Sequence, residues 1–214
     1  VSAFAKAIST KSTSLTKKFQ LDNIILLVGG STMEEVDFEK WVKNLRSSID
    51  IPVVIFPGSH HQVTQEADAL LFLNLISGRN PEYLIEQQVS AASKVAAMDL
   101  EVIPTAYLLL DGGKETAVSR VSKTLPIDQR ETDLIINTAL AGQFMGNQLI
   151  YLEAGSGAIV PGKEAIVRAV CAQVTVPVIV GGGLRTFEAI EKRFNAGAKM
   201  IVVGTAIEEN LKWI

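Results

Sequence analysis

Residues 176–183 read Val176-Pro177-Val178-Ile179-Val180-Gly181-Gly182-Gly183, a β-branched run that stops in glycine. It shows no apolar/polar alternation, so a strand made from it has to be covered on both faces, as strands of parallel sheets are. Working outward, runs of the same kind lie at 24–28, 53–56, 69–75, 102–110, 149–152 and 200–203, which with 176–180 makes seven candidate strands. The stretches between them carry helical periodicity, such as Phe38, Trp41, Val42 and Leu45, or Leu84, Ile85, Val89, Ala92 and Val95. Strand alternates with helix, which leaves a doubly wound sheet or a barrel. Seven strands is one short of the (β/α)8 count, and Val1, Phe4, Ala5 and Ile8 fall at helical spacing, so the reading favours an α/β (β/α)8 TIM barrel whose first strand precedes Val1.

The 214 residues, 48% of them hydrophobic, are enough for one large core, and no linker or repeat divides them; one domain over 1–214 is expected. A net charge of −3 offers no footprint for nucleic acid. No apolar run approaches the roughly 20 residues that span a bilayer. Cys171 is the only cysteine, which excludes an internal disulfide and reads as a buried small hydrophobe in a reduced, cytoplasmic protein. His60 and His61 stand side by side, without the spacing of a zinc site, and read as a solvated loop. The first eighteen residues hold Lys but no acid and could pass for a transit peptide; a surface helix fits their apolar spacing better. Residues 111–144 exceed what one connection needs, and their polar first half, with Lys114 and Glu115, suggests a loop or extra helix over the strand mouth.

Four runs end in glycine clusters: Gly29-Gly30-Ser31, Gly155-Ser156-Gly157, Gly181-Gly182-Gly183 and Gly204-Thr205. Glycines at strand ends let amide N–H groups surround an anion, and barrels often bind phosphate after their last two strands. In Tyr151-Leu152-Glu153, period-two geometry puts Tyr151 and Glu153 on one face and Leu152 on the other. Both polar groups then enter the barrel mouth, where a carboxylate can orient or deprotonate a hydroxyl and a phenol can bind a polyol. An ion pair between Glu153 and a basic neighbour is the competing reading. Arg79, in Ser77-Gly78-Arg79-Asn80-Pro81, is either a second anion contact or a surface arginine on a turn.

Together these pieces resemble the geranylgeranylglyceryl phosphate synthase family, which includes bacterial heptaprenylglyceryl phosphate synthases. The resemblance runs from about Ile24 to Glu208 and rests on Leu27-Val28-Gly29-Gly30-Ser31, Phe56-Pro57-Gly58-Ser59, Ser77-Gly78-Arg79-Asn80-Pro81, Pro104-Thr105-Ala106-Tyr107, Gly181-Gly182-Gly183-Leu184-Arg185-Thr186, Val203-Gly204-Thr205-Ala206 and, most specifically, Tyr151-Leu152-Glu153-Ala154-Gly155-Ser156-Gly157. It implies a barrel enzyme that joins a geranylgeranyl chain from its diphosphate to the 3-hydroxyl of sn-glycerol 1-phosphate, an ether-lipid reaction that releases diphosphate. It also implies catalytic Glu153 and Tyr151, with glycerol phosphate on Tyr151, Leu152, Glu153, Ala154, Gly155, Ser156, Gly157, Gly182, Gly183, Gly204 and Thr205. Mg2+ is the implied cofactor, held by Ser31 and by a first-strand Asp. The family's Asp-Pro-Asp-Lys motif does not occur in this sequence and is expected upstream of Val1. The expected partners are the two substrates, a homo-oligomer of two or more copies, and a transient membrane surface. A sugar-phosphate isomerase and a non-catalytic phospho-ligand binder stay open as alternatives.

Overall fold

The computed structural model describes residues 24–30 and 37–209. The helix expected over Val1 to Ile8, the strand expected before it, and Ser31 lie outside these residues. The chain divides into two compact units: one takes the residues through Phe72 with Gln87–Val102 and those from Ile207, the other takes Leu73–Glu86 and Ile103–Ala206.

In the first unit β1 (Leu26–Val28), β2 (Val53–Ile55) and the start of β3 (Ala69–Asn74) pair in parallel, with Leu26 opposite Val53 and Val54 opposite Ala69. Helix α1 (Phe38–Arg46) starts where Asp37 Oδ1 accepts the Lys40 N–H at 3.2 Å, satisfying one of the donors a helix start leaves open. Its Val42 and Leu45, three residues apart and so on one face, pack with Val28, Val53, Ile55 and Leu70. Each such burial stabilises by about 1.5–3 kcal/mol. Helix α2 (Gln87–Ala96) adds Ala91 to the same core. Gln62 is the clasp of the strand ends: its Oε1 accepts from Gly30 N at 3.1 Å and Gly58 N at 2.8 Å, and its Nε2 donates to Gly30 O at 3.0 Å.

The second unit holds most of β4 (Glu101–Leu109), then β5 (Leu149–Glu153), β6 (Val178–Gly181) and β7 (Met200–Val202). Each pairs in parallel with the next. The connections carry α3 (Ala117–Ser122), α4 (Thr132–Phe144), α5 (Glu164–Cys171) and α6 (Phe187–Asn195), and α7 (Thr205–Glu209) opens after β7. Alternate residues Ala106, Leu108, Ile150, Leu152, Val178 and Val180 form one core with Ile135, Ile166, Val167 and Val170 of the helices. The opposite face, carrying Tyr107, Tyr151 and Ile179, is buried as well, which is why these strands read as continuous apolar runs. Within each unit, strands adjacent in the chain are adjacent in the sheet. A doubly wound sheet reverses its order at a switch point, so the class is the (β/α) barrel.

All seven expected strands form, with ends moved by one or two residues. The long 111–144 segment contains two helices: α4 is the ordinary crossover to β5, and α3 is the surplus. Thr116 starts α3 through reciprocal bonds with Ser119. Cys171 corrects an expectation: it is half-buried at the end of α5 beside Gly197, and that partial burial raises its thiol pKa. In the histidine loop His61 is exposed and His60 half-buried; the Gln87 side chain binds both His60 N and His60 Nδ1 at 2.9 Å, and the two rings lie 3.8 Å apart. No helix among the described residues is long and apolar enough to cross a membrane.

Candidate active site

The cluster is built from the C-terminal ends of β4, β5 and β6. Parallel register sets Tyr107 beside Tyr151, and Glu153 between Leu109 and Gly181. The two phenol rings meet edge to face at 5.3 Å. Glu153 is 7% exposed and Tyr151 1%. A carboxylate this dry needs compensation, and it has two donors: Gly155 N at 2.6 Å, on the chain just beyond the strand, and the Tyr151 hydroxyl.

Glycine at the end of β6 makes the room. A Cβ on Gly181 would meet the Tyr151 hydroxyl, and would lie 2.7 Å from Glu153 Oε2. Gly182 stands at φ +84°, and a Cβ there would lie 2.5 Å from Glu153 Oε1 and 2.6 Å from Gly155 N. The carboxylate therefore occupies the volume that two side chains would otherwise fill, and only glycine takes the Gly182 backbone without strain. Burial raises the Glu153 pKa above the usual carboxylate range, while the Tyr151 hydroxyl and the Gly155 N–H pull it back. Burial, reinforced by the nearby Glu153 charge, lifts Tyr107 and Tyr151 well above the ordinary phenol value, so both are hydrogen-bond donors throughout the physiological range. Among the described residues no basic side chain pairs with Glu153; its partners there are a phenol and an amide.

Outward from this buried end the chain becomes wet. Ser156 is exposed, and its Oγ lies 3.1 Å from Thr205 Oγ1 at the start of α7. The structure thus joins Tyr151, Glu153, Gly155 and Gly182 at one end, and Ser156, Gly157 and Thr205 at the other. Gly183 packs against Ala158 of the same β5–α5 connection, while Gly204 faces open space. The Leu152 side chain belongs to the apolar core and Ala154 is fully buried, so both can offer a ligand their backbone only. Arg79 is exposed at φ 53°.

Two groups were not singled out from the sequence, and a third, Lys114, was placed only in a loop over the strand mouth. Gly181 was quoted only as part of a motif, although its lack of a side chain makes the room for Tyr151 and Glu153. Tyr107 becomes visible only through the β4–β5 register. Lys114 sits in the loop between β4 and α3, whose Gly112 O accepts from Ile159 N at 2.9 Å and Val160 N at 3.0 Å. A Cβ on Gly112 would strike the Ala154 carbonyl, so this loop lies directly on the β5–α5 connection. Among the described residues no three His, Cys, Asp or Glu side chains come together to hold a metal ion.

Comparison with known proteins gives a consistent result. Residues 16–213 match the model of the PcrB family. A geranylgeranylglyceryl phosphate synthase of Zunongwangia profunda is 51% identical over 183 residues, covering 86% of this chain and 78% of that protein. The protein of the same name from Pyrococcus furiosus is 42% identical over 190 residues, covering 88% and 75%. The crystal structure of (S)-3-O-geranylgeranylglyceryl phosphate synthase from Thermoplasma acidophilum, in complex with its substrate sn-glycerol-1-phosphate, superposes with a TM-score of 0.87 at 36% identity, covering 99% of this chain and 82% of that one.

Proposed function

Because this chain belongs to the PcrB family, we propose that it is a prenyltransferase of ether-lipid synthesis, joining geranylgeranyl diphosphate to the 3-hydroxyl of sn-glycerol 1-phosphate. The observation that carries the chemistry is the buried Glu153 carboxylate, held by Tyr151 and Gly155 at the dry end of a cluster whose wet end is hydroxyls and glycine amides. The substrate has the same polarity. Its glycerol hydroxyls go inward to Glu153 and Tyr151, and its phosphate stays outward with Ser156, Gly157 and Thr205.

In the transfer the 3-hydroxyl oxygen forms a bond to the first prenyl carbon as that carbon's bond to diphosphate breaks. The bonding electrons leave on diphosphate, and the hydroxyl proton passes to Glu153. Burial makes the carboxylate a stronger base than it is in water, and the Gly155 N–H and Tyr151 hydroxyl keep it aimed. Positioned general bases of this kind contribute about 10²–10⁴-fold in rate. The Tyr107 and Tyr151 phenols remain protonated and do not compete for the proton.

Mg2+ is the cation that the family resemblance implies. Ser31, the ligand expected for it, lies outside the described residues, and among those residues no three His, Cys, Asp or Glu side chains gather to hold a metal ion. Both substrates bound together, a homo-oligomer, a single cooperative domain, a cytoplasmic setting and contact with a membrane surface complete the reading. The test is incubation of the full chain with labelled sn-glycerol 1-phosphate, geranylgeranyl diphosphate and Mg2+, followed by organic extraction. Label in the organic phase that disappears with EDTA supports the reading. Absence of transfer, despite bound glycerol phosphate, moves the protein to a phospho-ligand binder.

A further inference from the structure

The rim of the site is built so far from neutral groups. Ser156 and Thr205 supply hydroxyls, the glycines supply amides, and the one acid of the cluster, Glu153, repels an anion. A phosphate monoester carries about −1.5 to −2 charges at neutral pH, so neutral donors alone leave most of its charge unanswered. Among the described residues, Lys114 is a cation that the fold brings there. Its Nζ lies 2.9 Å from the point a Gly157 Cβ would occupy, and Thr205 Cγ2 lies 3.9 Å from the same point. Ser156 Oγ and Thr205 Oγ1, at 3.1 Å from each other, complete the surround.

The loop that carries Lys114 is a fixed one. Asp111 Oδ1 accepts the Gly113 N–H at 2.8 Å, Gln129 Nε2 donates to Asp111 O at 2.8 Å, and Thr116 ends the loop by capping α3. Nearby acids are already engaged: Asp111 in that turn, and Glu115 by Arg120 at 3.0 Å. Among the described residues, Lys114 has no carboxylate partner.

We propose that Lys114 is the phosphate-binding cation of this site, reaching from the β4–α3 loop across Gly157 to the phosphate of glycerol phosphate. The assignment rests on the proposed function for its ligand. Lys114 discriminates a phosphorylated polyol from a neutral one, and it leaves the chemistry at Glu153 untouched.

Calorimetric titration of the full chain and of K114M and K114R, with sn-glycerol 1-phosphate, inorganic phosphate and diphosphate in turn, tests it, alongside kcat and KM. Lys114 is exposed, so solvent and salt screen its charge, and K114M should weaken glycerol phosphate about tenfold. Inorganic phosphate should weaken in step. KM should rise while kcat at saturation holds, the dependence of binding on salt should flatten, and K114R should restore most of the affinity. Unchanged glycerol phosphate affinity in K114M, or a loss confined to diphosphate, overturns the Lys114 assignment while leaving the transferase reading in place. A wild-type chain that binds neither glycerol phosphate nor inorganic phosphate overturns both.

Discussion

Replacing Tyr151 with Phe removes one hydroxyl from a fully buried position and one of the two hydrogen bonds that favour the ionised form of Glu153. The Gly155 N–H at 2.6 Å remains, and burial continues to raise the pKa, so the carboxylate becomes harder to ionise. A hydrogen bond to a charged group is worth about 1.5–3 kcal/mol, which corresponds to about 10- to 100-fold in the ionised fraction. The carboxylate accepts the proton only when ionised. On the acid side of its titration kcat/KM of Tyr151→Phe should therefore fall by that factor relative to the parent, and the deficit should shrink as pH rises. Lost contact between Tyr151 and the glycerol moiety adds a second deficit that does not vary with pH. The assay is the pH profile of kcat/KM for glycerol phosphate, measured by label transfer for both proteins. The substrate's own ionisation, with a pKa of about 6, cancels in the ratio. A ratio of variant to parent that is flat with pH would refute the coupling between Tyr151 and Glu153.

The other expectations follow from the same cluster. Glu153 has its folded pKa raised above its unfolded one, so the stability it lends below the unfolded pKa is lost as pH rises through the folded pKa, and the native state carries the whole cost above that. Glu153→Gln should accordingly have a flatter urea-midpoint profile than the parent and gain on it toward neutral pH; a stability difference between the two that does not change with pH would count against this. In Gly182→Ala the new methyl collides with Glu153 Oε1 and Gly155 in a left-handed backbone, so turnover should fall on the order of 10²-fold as the carboxylate is displaced, with glycerol phosphate affinity less affected. Gln62→Ala deletes three hydrogen bonds that join Gly30 to Gly58, and should lower stability by about 1–3 kcal/mol in denaturant titration. A single cooperative domain should show one transition in that titration, coincident in fluorescence and circular dichroism.

β2, β5 and β6 were legible because they are buried on both faces, which favours an unbroken apolar run; β7 is only half-buried but carries an equally apolar run that stops in glycine. Tyr151 and Glu153 were legible as a pair because the side-chain period of a strand is two, and the glycine runs marked where the chain turns tightly beyond them. What the sequence left out depends on register and on long-range approach. Gly181 matters because β5 and β6 pair Glu153 with it, Tyr107 because β4 and β5 pair it with Tyr151, and neither pairing is encoded in local pattern. Lys114 reads as one charge in a polar loop until Gly112 is seen lying on Ala154, which carries that loop to Gly157. Glu153 could equally have met a basic residue; burial beside a phenol and an amide is a consequence of packing.

The central claim, that buried Glu153 takes the proton of the attacking hydroxyl, is tested most directly by a single-turnover measurement on the full chain with Glu153→Gln, at saturating glycerol phosphate and geranylgeranyl diphosphate. The amide keeps the shape and can still accept the Gly155 N–H, but it cannot accept the proton. The account predicts a rate lower by about 10²–10⁴-fold with glycerol phosphate still bound. Transfer at the parent rate would contradict it.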